Sequence, residues 1–258
     1  RYEIPNHAKF NEINVLSFGD KGEDRETKLK KFCETKNGSA GGGGGSNSEI
    51  KELTEQWKCY EEKDIKKLVE NDLEYNKEVK GSGGICILQK TNGEENGKKQ
   101  KTFNDFFHFW VRHLLNDSIE WRDKLKKCIE DPEKKCKNGC NKKCECYERW
   151  VDKKKGEWKN IKDHFDKQPG FDQTFPPYYV LEDVLEESYF PIIQEAYGDS
   201  TAIQGIKKTL EKKKKEKGAN ISEEKTILDE FLNHELKDAE TCKNCEPRKF
   251  KNPCSGDT

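Results

Sequence analysis

The fold is decided by residues 103–168, which read FNDFFHFWVRHLLNDSIEWRDKLKKCIEDPEKKCKNGCNKKCECYERWVDKKKGEWKNIKDHFDKQ. Two sets of apolar residues recur in this stretch at the spacing of one helix face. The sets are Phe103, Phe107, Trp110, Leu114, Trp121 and Leu125, then Tyr147, Trp150, Val151, Trp158, Ile161 and Phe165. Thr102 and Asp105 form a near capping box, and Pro169–Gly170 ends the second set. We therefore predict two long antiparallel helices joined by an elbow, with further helices packed against them.

Cysteines crowd the elbow and recur in both flanking regions. The chain has 11, namely Cys33, Cys59, Cys86, Cys128, Cys136, Cys140, Cys144, Cys146, Cys242, Cys245 and Cys254. The elbow lacks histidine and the paired CxxC spacing of a zinc ribbon, and no βαβ pattern surrounds Cys242–Cys245. We therefore predict disulfides in an oxidising compartment rather than a metal or redox site. Their connectivity is left open, although a Cys59–Cys86 bridge would tie its region together.

Composition excludes several classes of function. The 258 residues include 38% charged residues, yet the net charge is only −1. A phosphate-binding surface normally needs a basic excess, so nucleic acid is not expected as the main partner. No apolar run is long enough to insert in or span a bilayer. No nucleophile elbow, phosphate loop or HExxH pattern is present, so we expect neither catalysis nor a cofactor.

Outside the hairpin the pattern predicts shorter elements. Residues 1–32 begin irregularly and end in a helix over Glu26–Phe32, and residues 49–80 read as helical. The apolar run Ile85–Leu88 reads as a strand or a packed extended segment. A last helix is expected to start at Ser222, with a core stripe of Ile227, Leu228, Phe231, Leu232 and Leu236.

A further helix is predicted over Tyr178–Phe190. Its acidic face carries Asp183, Glu186 and Glu187, and Pro191 ends or kinks it at Phe190. The adjacent aromatics Tyr189 and Phe190 have two interpretations: core residues, or an outward anchor of the kind that dominates protein interfaces. The residues alone favour the core.

Several motifs together resemble the alpha class of the cysteine-rich interdomain region of malaria parasite erythrocyte membrane protein 1. They are Phe106–Val111, Asp117–Arg122, Lys126–Cys128, Cys140–Cys146, Trp150–Val151 and Glu157–Phe165. The resemblance implies an all-α, disulfide-stapled helical bundle that acts as an adhesion module on the infected erythrocyte. It would be one piece of a larger membrane-anchored protein, as the start at Arg1 also suggests.

The resemblance also implies a receptor. The stretch Val180–Asp199 is similar to the subgroup that binds the endothelial protein C receptor through a kinked helix. In that subgroup an acidic residue precedes two adjacent aromatics, and the second aromatic enters an apolar groove of the receptor. The matching residues are Glu186, Tyr189 and Phe190; Glu186 and Tyr189 depart from the more frequent Asp and Phe. The resemblance thus implies that Phe190 is presented outward.

The predicted site therefore consists of Phe190, Tyr189, Glu186, Asp183 and Glu187, with Phe175 and Asp172 as a second candidate anchor. The alternatives are binding of an endothelial class B scavenger receptor, in which Phe190 would line a pocket or be buried, and a structural spacer between adhesion modules. Antibodies are further expected partners. We predict one domain over 1–258, with a core bundle at 1–168 and 219–245 and receptor-binding helices inserted at 170–217.

Overall fold

The computed structural model describes residues 4–19, 23–35, 50–65, 73–91, 94–95, 99–129, 139–167, 191–192 and 227–243. Its helices are α1 (Glu23–Glu34), α2 (Leu73–Glu78), α3 (Phe103–Ile129), α4 (Cys140–Asp166) and α5 (Ile227–Lys243). Its strands are β1 (Phe10–Leu16), β2 (Thr54–Tyr60), β3 (Ile85–Thr91), β4 (Glu94–Glu95) and β5 (Gln100–Thr102). Helices dominate, which confirms the predicted fold class, and a small antiparallel sheet is added to them.

The long helical hairpin is confirmed. The backbone N–H of Asp105 donates to the Thr102 hydroxyl at 3.2 Å, so Thr102 caps α3 as its sequence position predicted. Gly139 precedes α4 in the left-handed conformation, with φ 66°. The helices α1 and α5 also fall where helical patterns were found, although the predicted start of α5 at Ser222 lies outside the described residues.

The sheet corrects two predictions. β1 forms where irregular chain was expected, and β2 forms inside residues 49–80, which were predicted to be helical. In β2 the buried residues Trp57 and Cys59 alternate with more exposed neighbours, which is the period-two pattern of a strand. Long-range pairing with β1 and β3 therefore outweighs the local helical tendency of this lysine- and glutamate-rich segment.

The sheet order is β1–β2–β3–β4, and β5 also pairs with β3. The run Ile85–Leu88, read as a strand or extended segment, belongs to β3. Gly84 enters β3 with φ 104°, and a Cβ atom there would lie 1.9 Å from the Tyr60 carbonyl oxygen. Only glycine fits where the chain passes so close to the end of β2.

The core lies between the sheet and the hairpin. Helix α4 packs against α5, β1 and α3, and its inward face carries Trp150, Trp158 and Ile161. The Trp110 and Trp158 rings stack across the hairpin with centroids 5.8 Å apart. Such large buried rings supply much of the apolar area in a chain with 31% hydrophobic residues.

Disulfides join these elements, as predicted. The structure pairs Cys33 with Cys146, Cys59 with Cys86, Cys128 with Cys140, and Cys144 with Cys242. The Cys59–Cys86 bridge considered from the sequence is present, and its cysteines are register partners across β2 and β3. Cys136, Cys245 and Cys254 lie outside the described residues.

Candidate functional site

The residues predicted to bind a receptor lie outside the part of the chain that the structure describes. They are Asp172, Phe175, Asp183, Glu186, Glu187, Tyr189 and Phe190. The structure therefore neither brings them together nor separates them, and their roles stay predictions. It does describe Pro191 and Ile192, the two residues that follow them, and the core against which Ile192 packs.

Pro191 and Ile192 follow Phe190 directly and are helical. Pro191 is exposed, whereas Ile192 is half-buried and packs against the main hydrophobic core. A proline is accommodated best in the first turn of a helix, where its missing N–H has no intrahelical partner to lose. The predicted break at Phe190 lies just outside the described residues, and the core contact at Ile192 ties the chain after it to the bundle.

A charged cluster joins α3 to α5. The Arg122 guanidinium donates to Oε1 of Glu235 from Nη2 at 2.6 Å and from Nε at 3.0 Å, and Nη2 also reaches Asp238 at 3.2 Å. His234 lies 3.3 Å from Asp238. Glu235 is fully buried, and this burial raises its pKa to about 7 despite the opposing pull of Arg122. Desolvation therefore outweighs pairing at this carboxyl group.

A buried ion pair links α4 to the end of β1. The Lys154 ammonium donates to the Leu16 carbonyl oxygen at 2.7 Å and to Glu157 Oε1 at 3.0 Å. The Trp110 indole N–H donates to the same carboxylate oxygen at 3.3 Å. Lys154 and Glu157 are 1% and 4% exposed, and burial raises the pKa of Glu157. This buried charge pair therefore connects α4, β1 and α3 inside the core.

The end of α4 is fixed by a buried imidazole. His164 lies 2.9 Å from the Gly83 carbonyl oxygen through Nε2 and 3.3 Å from Asn11 Oδ1 through Nδ1. Its ring centroid is 4.4 Å from that of Phe103. Burial lowers the pKa of His164. This contact could not be predicted from the sequence, because its partners come from β1 and from the turn before β3.

Helix α1 is held by two arginines. Arg25 on α1 binds the carboxylates of Asp117 and Glu120 on α3. Arg149 on α4 donates to the carbonyl oxygens of Phe32 and Thr35 at the end of α1. Carbonyl groups at a helix end have no intrahelical partner, so a guanidinium placed there satisfies them. The first of these ties joins α1 to α3, and the second joins it to α4.

The described residues hold neither a metal-binding cluster nor a membrane-spanning helix. Within them, no group of three or more His, Cys, Asp or Glu side chains is arranged to hold a metal ion. Among the same residues, no helix is long and apolar enough to cross a membrane. Fold and contacts together define a disulfide-stapled helical module whose buried charges serve packing between elements.

The comparisons with known proteins name the class. The family described as "PFEMP1 DBL domain" matches residues 106–250, more than half of the chain, so this protein belongs to the PfEMP1 domain family. These are non-enzymatic adhesion domains of a protein exposed on the surface of the infected erythrocyte. The chain is therefore an adhesion-type domain. Comparison with the curated proteins found no match.

Two solved structures are similar to this chain. One is the N-terminal NTS-DBL1-alpha and CIDR-gamma double domain of PfEMP1 from the Plasmodium falciparum varO strain. It is 18% identical, with a TM-score of 0.58, and the match covers 93% of this chain and 30% of that chain. The other is the MC179 portion of the cysteine-rich interdomain region of a Plasmodium falciparum PfEMP1. It is 33% identical, with a TM-score of 0.29, and the match covers 57% of this chain and 95% of that chain.

Proposed function

We propose that this chain is a cysteine-rich interdomain region of the alpha class that binds the endothelial protein C receptor. Membership of the PfEMP1 family supports an adhesive role on the infected erythrocyte. The run Glu186–Phe190 supports the receptor assignment, because it places a carboxylate three residues before two adjacent aromatics. By occupying the receptor, the domain would mediate cytoadhesion and block the natural ligand. Antibodies are the other expected partners.

In the proposed mechanism Phe190 enters an apolar groove of the receptor and Tyr189 packs beside it. Glu186 and Asp183 pair with basic groups at the rim, with Glu187 nearby on the same acidic face. A central aromatic surrounded by a polar rim is the arrangement in which most binding energy concentrates. Phe175, with Asp172 before it, is the second anchor.

The observation that carries the proposal is the position of Ile192. It packs against the main core only two residues after Phe190, so the chain beside the proposed anchor is fixed to the bundle. Attachment to a packed scaffold reduces the conformational entropy lost on binding. The proposed division into a core bundle at 1–168 and 219–245 and an insertion at 170–217 stays a prediction, and Ile192 is a point at which the insertion would contact the core.

Equilibrium binding to immobilised receptor ectodomain tests the proposal, with the class B scavenger receptor in a parallel channel. Phe190→Ala is expected to weaken binding to the protein C receptor by about 30-fold or more, the effect of losing a central anchor. The matched control is Phe10→Ala, because Phe10 is an exposed phenylalanine on β1, 44% accessible. It should leave affinity within about twofold.

Three outcomes would contradict the proposal. Binding of the wild-type chain to the scavenger receptor alone would reassign the partner. Equal losses for Phe190→Ala and Phe10→Ala would remove the anchor role. Binding to neither receptor, with helicity and disulfides intact, would favour a spacer between adhesion modules. Circular dichroism of every variant separates these outcomes from simple unfolding.

A further inference from the structure

A second surface of this molecule lies away from the proposed anchor. A groove of about 510 Å³ runs between α1, the second half of α3 and the first turn of α4. Its lining surface is mostly apolar. Leu29, Trp121 and Leu125 form its floor and are only 8%, 3% and 0% exposed, so Cys33 and the lysine side chains of the lining contribute to that apolar surface. This volume falls in the range of pockets that hold ligands or side chains of a partner. The groove is distinct from the buried polar contacts described above.

Lysines surround this apolar floor. Lys30 on α1, Lys124 on α3, and Lys142 and Lys143 on α4 all line the groove. Lys124 pairs with Glu26 at 3.2 Å and Glu120 at 3.6 Å.

The other three lysines are exposed and form no ion pair or hydrogen bond with another described residue. The one acidic residue in the lining is Glu34. The rim is therefore strongly basic in a chain whose net charge is only −1.

We propose that this groove docks an acidic peptide segment of a partner protein that carries an apolar side chain between carboxylates. The apolar side chain would cover Leu29, Trp121 and Leu125, and the carboxylates would meet the lysine rim. Complementary charge steers such an encounter and fixes its register, while apolar burial supplies affinity.

A peptide fits this rim better than a single anionic headgroup. The four lysines belong to three different helices, so they border the groove on several sides instead of meeting at one point. A headgroup concentrates its charge in one place, whereas acidic residues on both sides of an apolar anchor reach opposite parts of the rim. The exposed residue Cys33, which forms a disulfide with Cys146, also lines the groove.

The test uses the whole chain and a labelled peptide, Glu-Glu-Leu-Phe-Glu-Glu, in fluorescence anisotropy. The variant Lys142→Glu/Lys143→Glu reverses two exposed charges at the start of α4. Acidic residues are favourable in the first turn of a helix, so this variant should fold. The matched control is Lys153→Glu/Lys159→Glu, which makes the same charge change at exposed positions of α4 outside the groove.

We expect saturable binding that weakens about tenfold in the groove variant and less than about twofold in the control. Rising ionic strength should weaken it further, because the rim charges are exposed. The peptide Glu-Glu-Ser-Ser-Glu-Glu, which lacks the anchor, should bind poorly. Since no receptor takes part, the result is independent of the protein C receptor experiment.

The proposal is overturned if the first peptide shows no saturable binding, or if both lysine pairs matter equally. Equal binding of the serine peptide would reduce the site to a basic patch without a role for the apolar floor. Vesicles of phosphatidylserine and phosphatidylcholine serve as the lipid arm. If they bind through Lys142 and Lys143 while the peptide does not, the groove takes a lipid headgroup and the peptide proposal fails.

Discussion

The two ends of the α3–α4 hairpin are held by different chemistry. Three disulfides gather at the elbow end, namely Cys128–Cys140, Cys33–Cys146 and Cys144–Cys242. At the sheet end the described contacts of the hairpin itself are buried polar ones, Lys154 with Glu157 and His164 with Gly83. The disulfide in the sheet, Cys59–Cys86, joins β2 to β3 and does not include a hairpin residue. Reduction should therefore act on the hairpin mainly at its elbow, whereas the loss of a polar partner should act on it at the sheet end. The disulfides and the buried polar contacts involve different residues of the same core, so the contribution of each to stability can be measured separately.

The largest expected effect comes from the Cys144–Cys242 bridge, which ties α5 to α4 across 98 residues of sequence. Its replacement by two alanines should lower the free energy of unfolding by about 5 kcal/mol, because the unfolded chain regains the entropy of a long loop. The Cys128–Cys140 bridge spans only 12 residues. Its removal should cost about 3 kcal/mol by the same argument. Urea unfolding followed by circular dichroism measures both.

The difference between the two losses of unfolding free energy tests the loop-entropy argument more directly than either loss alone. Loop entropy predicts that the longer bridge contributes about 2 kcal/mol more than the shorter one. Equal losses, or a larger loss for the shorter bridge, would show that native packing around the elbow matters more than loop length. Cys59–Cys86, inside the sheet, offers a third point at an intermediate separation of 27 residues.

The next effect concerns the buried pair at the sheet end. Lys154→Met removes the ammonium and leaves the Glu157 carboxylate buried without its charge partner. Breaking a buried pair on one side typically costs about 3–5 kcal/mol, whereas replacing both members with apolar residues is often close to neutral. The double variant Lys154→Met/Glu157→Leu should therefore recover most of the lost unfolding free energy.

The control for this pair is the neighbouring exposed residue Lys153. Lys153→Met changes the same chemical group at the surface and should alter the free energy of unfolding by less than about 0.5 kcal/mol. A double variant as unstable as Lys154→Met alone would mean that the bond to the Leu16 carbonyl oxygen, and not the charge pair, fixes β1 to α4.

The sequence predicted the hairpin well because its signals are local and repeated. Apolar residues at helical spacing and the Thr102 cap specify α3 without any knowledge of the partner elements. Lys154 is a missed signal in the same helix: with Trp150, Trp158 and Ile161 it lies on the inward face of α4, at helical spacing from each. A lysine at a core position was itself a signal of a buried partner.

The remaining contacts could not be predicted because they are set by tertiary structure. Strands β1 and β2 are short, and their pairing joins segments that are distant in sequence. Glu235 and His164 become buried only when other helices and turns close over them. Disulfide connectivity likewise depends on which elements lie side by side. The residues proposed to bind a receptor, from Asp172 to Phe190, lie outside the described residues, so their roles are proposed from the sequence alone.

The smallest of the predicted effects is a pH dependence that has opposite signs at Glu235 and His164. The folded pKa of Glu235 is about 7, against an ordinary value of 4.5, so between these values the folded chain binds more protons than the unfolded chain. This group therefore lowers the free energy of unfolding as pH rises through that window, by a total on the order of 3 kcal/mol. For His164 the folded pKa lies below 6.5, so stability falls as pH drops beneath that value.

Two variants separate these contributions in urea unfolding measured from pH 4 to pH 8. Glu235→Gln keeps a hydrogen-bond acceptor for Arg122 and should remove the loss of stability on going from about pH 4.5 to about pH 7. His164→Gln cannot titrate and should remove the loss of stability that occurs as the pH falls below about 6.5. Each variant is therefore the control for the other. If Glu235→Gln keeps the wild-type slope, the Arg122 guanidinium must hold that carboxyl group ionised against the repulsion of Asp238. The cluster joining α3 to α5 would then depend on charge pairing more than on burial.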